Sequence, residues 1–395
     1  MWKHIAANAL TLAVVVVAIV AGVVQLGISR WSEAGPLAEA TFFEVPRGAN
    51  VAEVADDLVA AGIVSSASLF RIGTDYSGRE GDLKFGTYEI PARAAMPEVL
   101  EIITAGGPSV FPYTVTHLIR QQGPEVRVRE RVPGRDETVD VATYVPGEPV
   151  PEAFEALLAR EVPITWRVSV APGLTSWEVI EGLKSVDFLE GGEDLPVPPE
   201  GALAPDTYDV ARGSARADLV ARMREAQQRI LADAWAARAP GLPVETPEEA
   251  LILASIIEKE TGIAEERRRV AGVFTNRLEQ GMRLQTDPTV VYGITEGRGP
   301  LGRGLRRSEL DAVTAYNTYR IDGLPPTPIA NPGADSIRAA LDPLDTEELF
   351  FVADGTGGHA FAATLAEHNE NVAAWRAIEA ARGATDGATG VQTGD

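Results

Sequence analysis

From Ile5 to Ile28 the chain carries no charged residue. About 20 apolar residues are enough for a helix to cross a bilayer, where a helix alone can satisfy its own backbone hydrogen bonds. The run therefore reads as a transmembrane helix. It exceeds the roughly 7 to 15 apolar residues of a cleaved signal peptide, so a retained anchor is expected over residues 1–30. Lys3 precedes the span, and Arg30 and Glu33 follow it. The simplest topology leaves the amino terminus in the cytoplasm and everything after about residue 30 on the other side, with Trp2 and Trp31 at the two interfaces.

The 395-residue chain as a whole is 45% hydrophobic and 23% charged, enough to bury a sizeable core in more than one domain. A formal charge of -22 argues against nucleic acid as a partner, because phosphate binding needs basic patches. The one basic cluster, within Glu265–Arg269, reads as an exposed helix face. The absence of cysteine excludes disulfides, thiol nucleophiles and cysteine-ligated zinc. His4, His117, His359 and His368 lack the spacing of a zinc hydrolase, so no metal or cofactor is expected.

Beyond the anchor, Thr41 to Asn50 reads as a strand and turn leading into a helix capped by Asn50, with Glu53 three residues on. Gly62 ends that helix, a second begins near Leu69, Lys84 to Ile90 is a strand, and Met96 to Thr104 is a short helix stopped by Gly106-Gly107-Pro108. The first of these units recurs. Val45, Gly48, Glu53, Val54 and Leu58 match Val170, Gly173, Glu178, Val179 and Leu183 at a constant offset of 125 residues. Between the two copies, residues 121–162 read as an inserted hairpin or extended linker. Further on, 214–238 is an amphipathic helix, Glu265 to Gln280 another, Leu349 to Ala353 a strand turning at Asp354–Gly358, and Ala366 to Ala381 a final helix. The polar remainder from Gly383 is expected to be disordered.

Chemistry concentrates in the segment Thr246–Thr261. Thr246, Pro247 at the first helical position and Glu249 form a capping-box start, which predicts a helix from Pro247 to Thr261. At about 100° per residue, Leu253, Ile256, Ile257 and Glu260 share one face, while Glu258 projects from the other side near Leu251 and Ser255. A carboxyl in an apolar stripe is desolvated, which favours its protonated form and suits Glu260 to donate a proton near neutral pH. A Glu-Lys-Glu run is also an ordinary solvated helix end. What weighs against that is the dense set of polar and aromatic residues downstream, in Arg283–Thr289, Tyr292-Gly293 and Tyr316–Tyr319, which looks like a binding groove.

In their order and spacing, several motifs resemble those of the endolytic murein transglycosylases of the MltG, or YceG-like, family. They are Pro205–Tyr208, Ala254–Thr261, Asn276–Leu278 with Gly281–Thr289, Tyr316–Tyr319 with Gly323–Pro326, Pro332–Asp335, Phe351–Gly355 and Gly358-His359. The resemblance covers nearly the whole chain. It implies an α+β protein of the bacterial inner membrane: a single-pass anchor, a LysM-like βα module at 41–107, an insertion or linker at 108–164, a mixed α/β catalytic domain at 165–382 in the periplasm, and a tail at 383–395. It further implies cleavage of the MurNAc–GlcNAc bond within peptidoglycan strands to leave 1,6-anhydro ends, with the essential glutamate falling on Glu260. Peptidoglycan synthases and elongation or division proteins are the implied partners. Two departures stand out: residues 121–162 are longer than the family pattern, and Ala171-Pro172-Gly173 stands where Pro-Glu-Gly is usual.

Glu258, Gln285, Asp287, Tyr292, Tyr316 and Asn317 are the candidate substrate-binding residues of the groove. The same types also cap turns and fill cores. Two rival functions stay open: a muramidase that hydrolyses the same bond with Asp287 as second carboxylate, and a non-catalytic peptidoglycan-binding scaffold.

Overall fold

The computed structural model describes residues 2–105, 110–160, 162–192 and 194–389. It is a mixed α+β chain that divides into two compact units, one made of residues 1–115, 127–144 and 149–165, the other of 116–126, 145–148 and 166–395.

The first unit begins with α1 (Trp2–Ser32). Within it Leu10–Ser32, of mean hydropathy 2.6 and with none of its length buried, is long and apolar enough to cross a membrane. Trp31 packs on Phe70, ring centroids 6.0 Å apart. It does so over Gly73, where any Cβ would meet the indole at 2.2 Å. The reason is that α1 continues past the apolar run and docks its last turn on the module that follows.

That module runs β1 (Thr41–Val45), α2 (Val51–Ala60), α3 (Ala67–Tyr76), β2 (Gly86–Ile90) and α4 (Met96–Thr104). β1 and β2 pair antiparallel, with Phe43 opposite Tyr88. Val54, Leu58, Phe70, Ile90, Val99 and Ile103 close the core with no measurable exposure. The expected stop at Gly106-Gly107-Pro108 lies outside the described residues.

Residues 121–162 contain regular structure. β3 (Tyr113–Ile119), β4 (Glu125–Arg131), β5 (Thr138–Tyr144), α5 (Glu152–Ala159), β6 (Ile164–Val170), α6 (Ser176–Lys184) and β7 (Thr207–Val210) follow in order. The five strands form one sheet in the order β5-β4-β3-β6-β7. The stretch expected as a hairpin or linker thus supplies two strands and a helix. Alternation along Glu125–Arg131, which buries Val126 and Val128, is the pattern that a half-buried strand requires.

The second unit continues with α7 (Arg216–Ala236), α8 (Pro247–Glu260), α9 (Ala264–Glu279), α10 (Asp287–Thr295), α11 (Arg307–Asp311), α12 (Ala334–Leu341), the hairpin β8 (Phe350–Ala353) and β9 (His359–Ala362), and α13 (Leu365–Thr389). α13 extends through Thr389, so the first part of the tail expected to be disordered is helical.

The repeat is visible in the geometry. Gly48 and Gly173 both adopt the left-handed region, with φ of 77° and 80°. Asn50 with Glu53 and Thr175 with Glu178 both form complete capping boxes, and Val54, Leu58, Val179 and Leu183 are all fully buried. The closing strands match too. Tyr88 opposite Phe43 and Tyr208 opposite Val168 each donate their hydroxyl to the carbonyl four residues back, Lys84 at 2.9 Å and Ala204 at 2.8 Å. Burial raises both phenols, that of Tyr208 to about 12. The two copies differ at the cap, because Thr175 also donates its hydroxyl to the Gly297 carbonyl at 2.6 Å.

Asn50→Ala removes a cap alone and is expected to lower unfolding stability by about 1 kcal/mol. Thr175→Ala also orphans a buried carbonyl and is expected to cost roughly 2 kcal/mol. Urea unfolding of the detergent-solubilised protein measures both, and equal losses would contradict this ranking.

Candidate active site

Helix α8 starts as its sequence dictates. Thr246 accepts a hydrogen bond from the Glu249 N–H at 3.2 Å, and Pro247 takes the first helical position. The box is only half formed, since the Glu249 carboxylate turns back to the Glu245 N–H at 2.6 Å. Downstream the helix departs from a one-sided stripe. Ala250 and every residue from Ile252 to Ile257 are buried, and α7, α9, α10 and α12 pack around it. Ser255, on the face assigned to Glu258, is also sealed: its hydroxyl donates to the Ile252 carbonyl at 2.7 Å and accepts from the Ile329 N–H at 3.0 Å. Polar side chains therefore emerge only from the last turn.

There the three residues Glu258, Lys259 and Glu260 diverge, because successive helical positions are separated by about 100°. Glu258 accepts from the Gly333 N–H at 2.9 Å, and Lys259 donates to the Gly173 carbonyl at 3.2 Å. With Arg120 and Ala171–Leu174 these two line a pocket of 280 Å³. Glu260 points elsewhere and accepts a hydrogen bond from the Thr286 hydroxyl. Although Glu260 keeps some solvent contact, burial is the largest influence on its carboxyl and pushes the pKa up. The Thr286 hydroxyl opposes that, the Asp287 charge adds to it, and His359 and Arg277 pull it down. Its place at the negative end of the helix also disfavours the ionised form.

Thr286 is rigidly held. Its N–H donates to the Thr318 hydroxyl at 3.0 Å, and its carbonyl accepts from Thr289 at 2.8 Å. The preceding residue, Gln285, has φ of 50°, a conformation that costs a non-glycine residue about 1–3 kcal/mol. Its N–H bonds to the Thr318 carbonyl at 3.2 Å and its side chain is exposed. Asp287 opens α10, exposed, with the Tyr319 hydroxyl donating to it at 2.8 Å. Burial and this carboxylate raise the Tyr319 phenol.

Of the residues singled out in the sequence, the structure thus groups Glu260 and Asp287 around Thr286. Tyr292 and Tyr316 form a separate pair, ring centroids 5.1 Å apart. Tyr292 donates to Glu200 at 3.3 Å and Tyr316 bonds to Thr327 at 2.8 Å. Burial raises the Glu200 carboxyl, whose other oxygen accepts from the Ser176 N–H at 2.6 Å. Asn317 is fully buried, and its amide donates to the carbonyls of Glu309, Leu310 and Ala312. Those bonds hold the loop that carries Thr318 and Tyr319, and they leave its amide no free donor for a ligand.

The basic cluster lies on a largely exposed helix face, as expected, and also makes specific contacts. Arg269 forms a two-pronged pair with Glu348 and lies over the Phe361 ring at 4.2 Å, while Arg268 donates to the Asp342 carbonyl at 2.8 Å. Arg269 thus ties the β8–β9 hairpin to α9, while Arg268 ties the end of α12 to it. Periodicity could not show it, because the partner carboxylates lie far along the chain.

The YceG-like family model matches residues 43–374. The chain belongs to that family. This YceG-like chain is 28% identical to the endolytic murein transglycosylase of Bacillus subtilis (strain 168) over 328 residues, 82% of each protein. It is 28% identical over 342 residues to the protein of the same name from Streptococcus pneumoniae serotype 2 (strain D39 / NCTC 7466), covering 83% of this chain. The match spans 57% of the length of that pneumococcal relative. A crystal structure of a yceG-like protein of Listeria monocytogenes aligns with 84% of the chain at 22% identity and a TM-score of 0.44.

Thr286, Tyr319 and Glu200 were not among the candidates drawn from the sequence. The first two lie inside motifs already picked out, and their roles come from what they bond. Glu200 sits in a proline-rich loop with no local signal.

The raised pKa of Glu260 has a stability consequence. Its folded-state value lies above the unfolded one, so its contribution is complete below the unfolded pKa and is lost as pH rises through the folded value. Glu260→Gln escapes that loss. The variant is expected to melt above the wild type at about pH 8, with the gap closing toward about pH 4. A gap independent of pH in thermal melts would contradict the assignment.

Proposed function

We propose that this chain is a membrane-anchored lytic transglycosylase that cleaves the MurNAc–GlcNAc bond within peptidoglycan strands, leaving 1,6-anhydroMurNAc ends. The observation that carries the reading is Glu260: a carboxyl whose pKa burial pushes up, yet bonded to one hydroxyl that can also support its anion. The name borne by the bacterial relatives supports it.

A lytic transglycosylase needs one acid/base group, because the sugar's own 6-hydroxyl replaces water as nucleophile. Glu260 protonates the glycosidic oxygen as the bond to the anomeric carbon breaks. The resulting carboxylate then takes the proton of the 6-hydroxyl as that oxygen bonds to the anomeric carbon. Thr286 stabilises the carboxylate between the two steps. Asp287 lies beside the reacting region, where a negative charge favours oxocarbenium character. Gln285, Tyr292 and Tyr316 are the groove residues of this reading, and Glu258 joins the neighbouring pocket. Asn317 acts through the loop it holds.

The α1 apolar helix supports a single-pass anchor in the bacterial inner membrane, with everything after about residue 30 in the periplasm. Residues 41–107, whose described part runs strand–helix–helix–strand–helix, serve as a LysM-like module, and 165–382 as the catalytic domain. Synthases and elongation or division proteins are the partners in this reading. Asp287 also favours a second reading, a muramidase, because hydrolysis requires a second carboxylate near the first.

Mass analysis of products from uncrosslinked glycan strands decides between them. Anhydro-ended fragments from the wild type, abolished in Glu260→Gln, are expected. Reducing-end fragments would establish the hydrolase instead, and binding without cleavage by either protein would indicate a scaffold. Thr286→Val removes a donor that favours the anion, so the Glu260 pKa rises further. The falling limb of kcat/KM is then expected at higher pH than in the wild type, and an unmoved limb would remove Thr286 from the mechanism.

A further inference from the structure

Glu260 and Glu266 are separated by little more than the short link Thr261–Ile263, and Glu266 lies in the first turn of α9. Its Oε1 accepts from the His359 backbone N–H at 2.9 Å, and its Oε2 pairs with Nδ1 of the same residue at 2.7 Å. One carboxylate thus fixes both the start of β9 and the direction of the ring. The approach needs glycine before the histidine, because a Cβ on Gly358 would come 2.7 Å from Glu266 Oε1. The turn is fixed in its own right by Asp354, which accepts from the N–H groups of Thr356 at 2.7 Å and Gly358 at 3.2 Å.

Around the ring stand Phe351 and Phe361, at centroid distances of 5.3 Å and 6.2 Å. Phe351 in turn packs on Phe274 of α9. An apolar side chain would fill this space equally well, and it would spare the cost of a half-buried carboxylate held only to face an imidazole. With Nδ1–H donated to Glu266, Nε2 is the ring atom left to meet a ligand, as an acceptor on the neutral imidazole and as a donor on the charged one. Among the described residues none bonds Nε2, and the atom is not sealed from solvent. His359 also acts electrostatically on Glu260, which places the two groups in one neighbourhood.

We propose that His359 is a second substrate-contacting residue of this site, its Nε2 hydrogen-bonding to a sugar hydroxyl next to the bond that Glu260 protonates. Glu266 is the positioning residue that aims it. This rests on the glycan-cleaving function proposed above.

The chain has four histidines, so ¹⁵N-histidine spectra of the full-length, detergent-solubilised Glu260→Gln protein can follow each ring. On titration with uncrosslinked glycan strands, the His359 Nε2 resonance is expected to shift. That of His117, fully buried with Nε2 3.0 Å from the Ser185 hydroxyl, should stay in place. In the otherwise wild-type chain, His359→Asn keeps a donor near the Nδ1 position and lacks Nε2. It is expected to lose about 10- to 100-fold in kcat/KM with an unchanged melting temperature, and His359→Gln should recover part of the loss. A silent His359 resonance at saturating glycan, with His359→Asn within about twofold of wild type, would overturn the proposal. Failure of the wild type to cleave glycan would instead overturn the transglycosylase reading, and the His359 shift on binding would still report the contact.

Discussion

Helix α8 is enclosed on every side, and much of the second unit follows from accommodating it. Ile252, Leu253, Ile256 and Ile257 meet Phe274, Leu284, Ile337 and Leu341 in one cluster. Each fully buried aliphatic side chain of this kind contributes about 1.5–3 kcal/mol, so the helix cannot shift or rotate without losing several such terms. A helix held this firmly delivers its last turn to a fixed place. That turn carries three charged residues, each met by a different element: the Gly333 backbone for Glu258, the Gly173 carbonyl for Lys259, the Thr286 hydroxyl for Glu260. Apolar burial along the helix thus sets the position of the polar chemistry at its end.

The loops around that end are tied by buried polar groups. Asn331, 1% exposed, accepts from the Leu203 N–H at 2.9 Å and donates to the Leu174 carbonyl at 3.0 Å, joining segments distant in sequence. Arg277, also buried, donates to the carbonyls of Leu349 and Leu284, linking the hairpin to the segment that leads into Thr286. Leaving any of these donors or acceptors unpaired costs about 1–3 kcal/mol, which makes the loop positions specific as well as stable. The electrostatics of Glu260 depend on the same ties, since Thr286 with Asp287, His359 and Arg277 arrive on three different segments.

Local signals in the sequence carried some elements well. The start of α8 at Thr246, the Asn50 capping box and the repeat at an offset of 125 residues were legible, because caps and turns depend on neighbours within a few residues. The uncharged run before Ile28 predicted the apolar helix for the same reason. The contact of Trp31 with Phe70 was not legible, because it is tertiary. The strands of residues 113–144 were obscured by prolines and charges that occupy their turns and open faces. At the site, the apolar stripe did select Glu260, although α8 proves buried all round and the stripe was not unique to that face.

What the sequence by itself determined is the set of elements and the residue types available for chemistry: helix ends, strand patterns, a membrane-length apolar run, a carboxylate closing an apolar helix. Tertiary structure alone decided which groups meet. Thr286 reaches Glu260 and Glu266 holds His359, since each depends on hydrogen bonds between segments far apart in the chain. The physical reason is range: caps and periodicity act over one or two turns, whereas desolvation and charge pairing depend on the whole surrounding fold.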